Sequence, residues 1–263
     1  MLKKTVLTFA FLTVLTTFYG FNARFGSPVT DEELRSETAA GLSPTDALLE
    51  ERTCVISAYD NLIRDISEPE GNDWRLLSAI AYHESRFTPD VTSRRGAKGL
   101  MQIMPSVARQ FDIPIEEVAD PATNVWLANK LLSKIEATLR LPEGISEKDR
   151  MGILLACYNG GIGHVTDARR LARLHGEDPN SWEVVARYLT LKARPEYYES
   201  EAVRYGRFTG GRQTLAYVED VIGRYDTYCR IARRRFGGKY GERPSERSPR
   251  NGNSPLPQCM RRG

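Results

Sequence analysis

The 263-residue chain reads as a mainly α-helical protein, and three observations predict it. Apolar residues recur at three- and four-residue spacing through the middle of the chain. Asn, Asp or Pro-led starts precede several of those runs. No series of alternating strands competes with them. At most a small β element is expected, near Gly99 to Ile103. Hydrophobic content of 41% and charged content of 27% belong to an ordinary soluble globular protein, neither disordered nor membrane-embedded. A formal net charge of +3 argues for no nucleic-acid partner, and no basic, aromatic-interleaved surface motif supports one. The length suits one sizeable domain with extensions, since domains commonly run about 100 to 200 residues.

Met1-Leu2-Lys3-Lys4 and the apolar run Thr5 to Phe18 have the charged head and hydrophobic middle of a secretory signal. Residues 1–22 are therefore expected to be a signal peptide or a signal anchor, which puts the protein in the periplasm or cell envelope. The run is short of the ~20 residues that a spanning helix needs. Extension through Tyr19-Gly20-Phe21 nevertheless leaves an uncleaved anchor, and so membrane association through this segment, open. No Cys follows closely enough for a lipid-modified terminus. Residues 23–43 are polar and aperiodic, a linker; residues 44–236 form the domain; residues 237–263, rich in Gly, Pro, Ser, Asn and Arg, form a basic disordered tail.

Inside the domain, Leu48, Leu49, Cys54, Val55, Ala58, Tyr59, Leu62 and Ile63 fall at helical spacing, for one or two amphipathic helices over Ala47 to Ile66. Asn72 and Asp73 offer an amino cap for a helix from Trp74 to about Arg86. Pro105-Ser106 opens a helix through Phe111, and Asp120-Pro121 opens another through Leu132 or beyond. The apolar stretch Arg150 to Cys157 feeds a TyrAsnGlyGly turn. Helices are then expected at Val165 to Leu174, Ser181 to Leu191, Pro195 to Tyr205 and Thr214 to Arg235.

The Trp74 helix puts Leu77, Ala81 and Glu84 on one stripe, with Ile80 and Phe87 flanking. A carboxylate held among apolar neighbours has its charged form disfavoured and can stay a proton donor near neutral pH. The competing possibility is a helix that ends near Glu84 and leaves it at a solvated rim. After the Thr88-Pro89 break, Gly96-Ala97-Lys98-Gly99 leads into Leu100-Met101-Gln102, and its glycines permit the chain to fold back toward Glu84. Asp90 is the nearest other carboxylate and reads as a loop or cap residue.

GluSerArgPhe at 84–87, GlyAlaLysGlyLeuMetGlnIleMetPro at 96–105 and CysTyrAsnGlyGly at 157–161 resemble the SLT-type lytic transglycosylases in motif, order and spacing. GlyIleGlyHisValThrAspAla at 161–168 is similar to the continuation seen in the catalytic module of the membrane-bound lytic murein transglycosylase F subgroup. The resemblance covers roughly Leu76 to Tyr228. It implies a lysozyme-like helical domain with a substrate cleft. It also implies cleavage of the β-1,4 bond between N-acetylmuramic acid and N-acetylglucosamine, without water, to 1,6-anhydromuramoyl products.

Most glycosidases pair two carboxylates. The resemblance instead implies Glu84 acting alone, first as acid and then as base. Ser85 and Gln102 match polar residues near the acid, and Met101 an apolar wall against the sugar. Tyr158 and Asn159 match residues that shape the cleft and orient substrate, although Tyr158 and Tyr217 also suit core aromatics. Gln213-Thr214 with Tyr217-Val218 is similar to a GluThr-x-x-TyrVal stretch, with Gln213 replacing a carboxylate that contacts substrate. Asp120 to Val125 matches a structural segment. A goose-type hydrolytic muramidase and a non-catalytic peptidoglycan-binding protein are the alternatives.

The expected partner is the peptidoglycan glycan strand; no cofactor and no metal are implied. His83, His164 and His175 show no metal-ligand spacing, and His83 projects about 100° around the helix from Glu84. Four cysteines in an exported chain permit three pairings, of which Cys54 with Cys229 is the expected one, while Cys157 suits a buried small thiol.

Overall fold

The computed structural model describes residues 55–236, and nearly all of their regular structure is helical. In chain order the helices are α1 (Asp60–Ser67), α2 (Trp74–Ser85), α3 (Pro105–Gln110), α4 (Pro121–Leu139), α5 (Glu147–Gly160), α6 (Ile162–Leu174), α7 (Trp182–Leu191), α8 (Pro195–Tyr198) and α9 (Gly211–Phe236). One-turn 3-10 helices stand at Glu68–Glu70 and Glu117–Ala119. The small β element consists of isolated antiparallel bridges, Thr92 with Lys98 and Lys98 with Ile103. The mainly helical class is thus the one the chain adopts. The described residues cluster into two compact units, one of residues 55–140 with 218–236, the other Leu141–Tyr217.

In the first unit α1 packs on α2 and α4, and both α2 and α3 pack on α4. The periodic apolar residues supply the contact: Ile63, Leu77, Ile80 and Leu127 have no exposure at all. Burying a side chain of this size contributes about 1.5–3 kcal/mol. Polar groups fix the joints. Asp60, fully buried, accepts backbone N–H bonds from Val55, Ile56 and Ser57 at 2.7–3.0 Å and so closes the start of α1. Asp73 is the amino cap of α2, accepting from the Arg75 N–H at 2.9 Å. Its other oxygen takes the Arg75 guanidinium and the Tyr225 hydroxyl, each at 2.7 Å, which ties α9 to the start of α2.

In the second unit α5, α6 and α7 pack on one another. The first turn of α5 pins α7, because the Trp182 N–H donates to Asp149 at 2.7 Å. Two expectations change here. The α5 helix runs on through Tyr158, Asn159 and Gly160, so the turn falls at Gly161, whose φ of 89° suits glycine. The helix expected over Pro195 to Tyr205 stops at Tyr198. Beyond it the backbone N–H groups of Arg204 and Tyr205 bind the Asp167 carboxylate at 2.9 and 2.8 Å, and Phe208 N–H donates to the Lys192 carbonyl at 3.2 Å. Tertiary partners thus replace the helical ones that propensity favoured.

Asp167 and Lys192 have zero exposure, and the Lys192 ammonium donates to Asp167 at 2.7 Å. Lys192 Nζ also lies 3.1 Å from His164 Nδ1. An ammonium can only donate, so Nδ1 accepts and the imidazole carries its proton on Nε2. Arg170 adds a further bond to Asp167.

Candidate active site

Glu84 occupies the last turn of α2. Leu77, Ile80 and Ala81 are wholly buried, and Glu84, three residues past Ala81, is half-buried, where the apolar stripe reaches the surface. Its position combines the two possibilities drawn from the sequence, an apolar flank and a rim. The helix ends at Ser85, whose hydroxyl donates to the Ala81 carbonyl at 3.2 Å. Arg86 and Phe87 then take left-handed backbone angles, with φ of 52° and 60°. For residues with a side chain each such angle costs about 1–2 kcal/mol. Contacts to Tyr82 offset that cost. The Arg86 N–H donates to the Tyr82 carbonyl at 2.8 Å, and the Phe87 ring meets the Tyr82 ring edge-on at 5.9 Å. The guanidinium carbons of Arg86 and Arg224 lie 5.7 and 3.5 Å from the Tyr82 ring centroid.

The glycine-bearing loop is built around a buried side chain. Asn124, with no exposure, accepts the Met101 N–H at 2.7 Å and donates to the carbonyls of Lys98 and Val118 at 2.9 and 2.8 Å. Gly99, at φ of 77°, passes so close that an added Cβ would meet Asn124 Nδ2 at 2.5 Å. Gln102 also has positive φ, 46°, and its amide donates to Gly99 and Val91 carbonyls at 3.0 and 3.1 Å. Met101 is wholly buried and props the loop from within.

In the other unit Tyr158 and Asn159 are half-buried at the end of α5. Asn159 Oδ1 accepts from the Thr214 hydroxyl at 2.9 Å, joining the motif to the first turn of α9. Gln213 is exposed, whereas Tyr217 is buried, as the core-aromatic possibility anticipated. Of the residues singled out in the sequence, Glu84, Ser85, Met101 and Gln102 thus belong to one unit and Tyr158, Asn159, Gln213 and Tyr217 to the other.

His83 Nε2 lies 3.7 Å from an Asp220 oxygen. Burial lowers the His83 pKa; Asp220 opposes the shift, and Arg224 and Arg86 add to it. Asp90 is exposed in a turn, the loop role expected of it. Cys157 is buried and its thiol pKa is raised by that burial, the environment of an inert thiol. Cys229 is buried too, while Cys54, its expected partner, lies outside the described residues.

Tyr82, Arg224 and Asn124 did not stand out as site residues in the sequence. In the sequence Asn124 was visible only as part of the segment Asp120 to Val125 that matched a structural stretch. No signal existed for the contact of Tyr82 with Arg224, which are far apart in the chain.

A half-buried carboxylate at a helix end, in a mainly helical protein, defines a candidate proton-donor site. Comparison with known proteins agrees with the motifs: residues 61–179 match the transglycosylase SLT domain family. The chain is 39% identical to the membrane-bound lytic murein transglycosylase F of Alcanivorax borkumensis over 168 residues, covering 64% of this chain and 34% of the relative. It is 36% identical to that of Marinobacter nauticus over 173 residues, covering 66% and 33%. The chain therefore spans about a third of the length of these curated relatives. Among solved structures, the 70 kDa soluble lytic transglycosylase of Escherichia coli matches with TM-score 0.44 and 26% identity over 75% of this chain and 27% of that one. An inactive mutant of the lytic transglycosylase Slt of Pseudomonas aeruginosa matches with TM-score 0.45 and 21% identity, over 66% and 24%.

Proposed function

We propose that this protein is a peptidoglycan lytic transglycosylase with a lysozyme-like catalytic domain over residues 44–236, and that Glu84 carries the chemistry. The observation that supports this most is the position of Glu84 at the end of the buried α2 stripe, inside the segment that matches the SLT family. Glu84 protonates the glycosidic oxygen between N-acetylmuramic acid and N-acetylglucosamine. The resulting carboxylate then draws the proton from the muramoyl 6-hydroxyl as that oxygen attacks C1. The bond to the leaving sugar breaks, a 1,6-anhydro ring forms, and Glu84 regains its proton, so that one carboxyl serves both half-steps and no water is consumed. Ser85 and Gln102 line the sugar near the acid, and Met101 supports that wall. Tyr158, Asn159 and Gln213 are assigned to orienting the glycan, with Gln213 offering amide hydrogen bonds where a carboxylate is usual, and buried Tyr217 supports them from the core.

Action in the cell envelope fits the export signal expected over residues 1–22 and the membrane-bound relatives named above. Among the described residues no helix is long and apolar enough to cross a membrane. The test of the reaction is mass spectrometry of muropeptides released from purified sacculi. Fragments ending in 1,6-anhydro-N-acetylmuramic acid are expected. Reducing ends would indicate a hydrolytic muramidase, and binding without release a non-catalytic binding protein.

A further inference from the structure

The backbone just after Glu84 is held in an unfavourable form, and one aromatic ring gathers the contacts that hold it. A helix that ends in a glycine cap needs no side-chain-bearing residue at positive φ. Here Arg86 and Phe87 both adopt it, at 52° and 60°. Tyr82, two residues before Glu84, receives the Arg86 N–H on its carbonyl, the Phe87 ring against its edge and two guanidinium groups on its ring. The nearer guanidinium, 3.5 Å from the ring centroid, is that of Arg224 on α9. The residue after it, Tyr225, hydrogen-bonds to Asp73 at the opposite end of α2. Consecutive residues of α9 therefore grip the Glu84 helix at its first turn and near its last.

We infer that the Tyr82–Arg224 pair positions the Glu84 carboxyl: by pinning the left-handed turn, it sets where α2 stops and how its last turn presents the proton. The inference rests on Glu84 being the proton donor. Proton delivery is steep in geometry, and a misplacement of about 1 Å costs on the order of 100-fold in rate. Glycan binding is spread over many contacts and is far less sensitive. A positioning pair should therefore affect kcat and leave KM nearly alone, the pattern of an interaction made mainly in the transition state.

The experiment measures kcat and KM on soluble, uncrosslinked glycan strands for the full chain and for Tyr82→Leu, Tyr82→Phe, Arg224→Met and Glu84→Gln, with melting temperatures alongside. Tyr82→Leu and Arg224→Met are expected to lower kcat by about 10- to 100-fold with little change in KM. Tyr82→Phe should recover most of the rate, because it keeps the ring face on which Arg224 rests. If Tyr82→Leu fails to fold, Arg224→Met carries the test, since it alters only a half-buried side chain of α9. Wild-type kcat in Arg224→Met, or a fall that follows the loss of melting temperature and raises KM in step, overturns the inference. An active Glu84→Gln would refute the role given to Glu84 itself. An inactive Glu84→Gln together with fully active Tyr82 and Arg224 variants would remove only the positioning role.

Discussion

The Asp167–Lys192 cluster and the Glu84 site handle charge in opposite ways. In the former, Asp167 and Lys192 have no exposure, sit 2.7 Å apart and are surrounded by further partners: His164, Arg170 and the backbone N–H groups of Arg204 and Tyr205. Burial still lowers the Lys192 pKa, with Asp167 opposing it. In the latter, Glu84 is half-buried, and conformational strain lies in Arg86 and Phe87, just past Ser85. A charge whose task is to hold a loop in place is enclosed and saturated with partners. A charge proposed to exchange a proton with a substrate has to stay reachable, and the fold places its rigidity in the backbone and rings around it.

The largest expected effect lies on the enclosed side. Asp167→Ala leaves the Lys192 ammonium buried without its carboxylate, a change that costs roughly 3–5 kcal/mol. Urea unfolding should show it, and the paired replacement Asp167→Leu with Lys192→Met should cost much less. A single variant as stable as wild type would mean that the cluster does not hold the 199–210 segment.

Next comes the Gly99 loop. Gly99→Ala forces a Cβ to within 2.5 Å of Asn124 Nδ2 at a φ of 77°. Overpacking of this kind costs about 1–3 kcal/mol. The loss should appear as a lower melting temperature together with weakened cleavage, because the same loop carries Met101 and Gln102. Unchanged activity would separate the loop from the site.

The smallest effect is one of pH. The folded-state pKa of His83 lies below its ordinary 6.5, so the fold disfavours the imidazolium. The corresponding stability is present above the unfolded value and is lost as pH falls through 6.5 toward the lower folded value. His83→Gln should flatten the acid-side slope of stability against pH. A slope that persists in the variant would place the sensitive group elsewhere.

Local signals were legible in the sequence wherever the chain solves a local problem. Asp73 and Asp120 were identifiable as caps because a cap needs only its own next residues, and both accept from them. The α2 stripe was visible as spacing, and Glu84 stood out because a carboxylate continued it. The early end of α8 was not visible, since its cause is a carboxylate on α6 that accepts the N–H groups of Arg204 and Tyr205. Nor was the grip of α9 on α2, because the contacts of Tyr225 with Asp73 and of Arg224 with Tyr82 join residues far apart in the chain. Left-handed angles at Arg86 and Phe87 also leave no trace in residue type, since neither is a residue that favours them.

The measurement that bears most directly on the central claim is release of anhydromuropeptides from purified sacculi by Glu84→Gln beside wild type, with glycan binding and melting temperature recorded for both. Gln keeps the volume and hydrogen-bonding reach of Glu but has no proton to deliver, and general acid catalysis alone is worth about 100- to 10,000-fold. The predicted result is a variant that folds and binds glycan as wild type does, with its release reduced by at least that factor. Anhydromuropeptide release at the wild-type rate would contradict the assignment of Glu84.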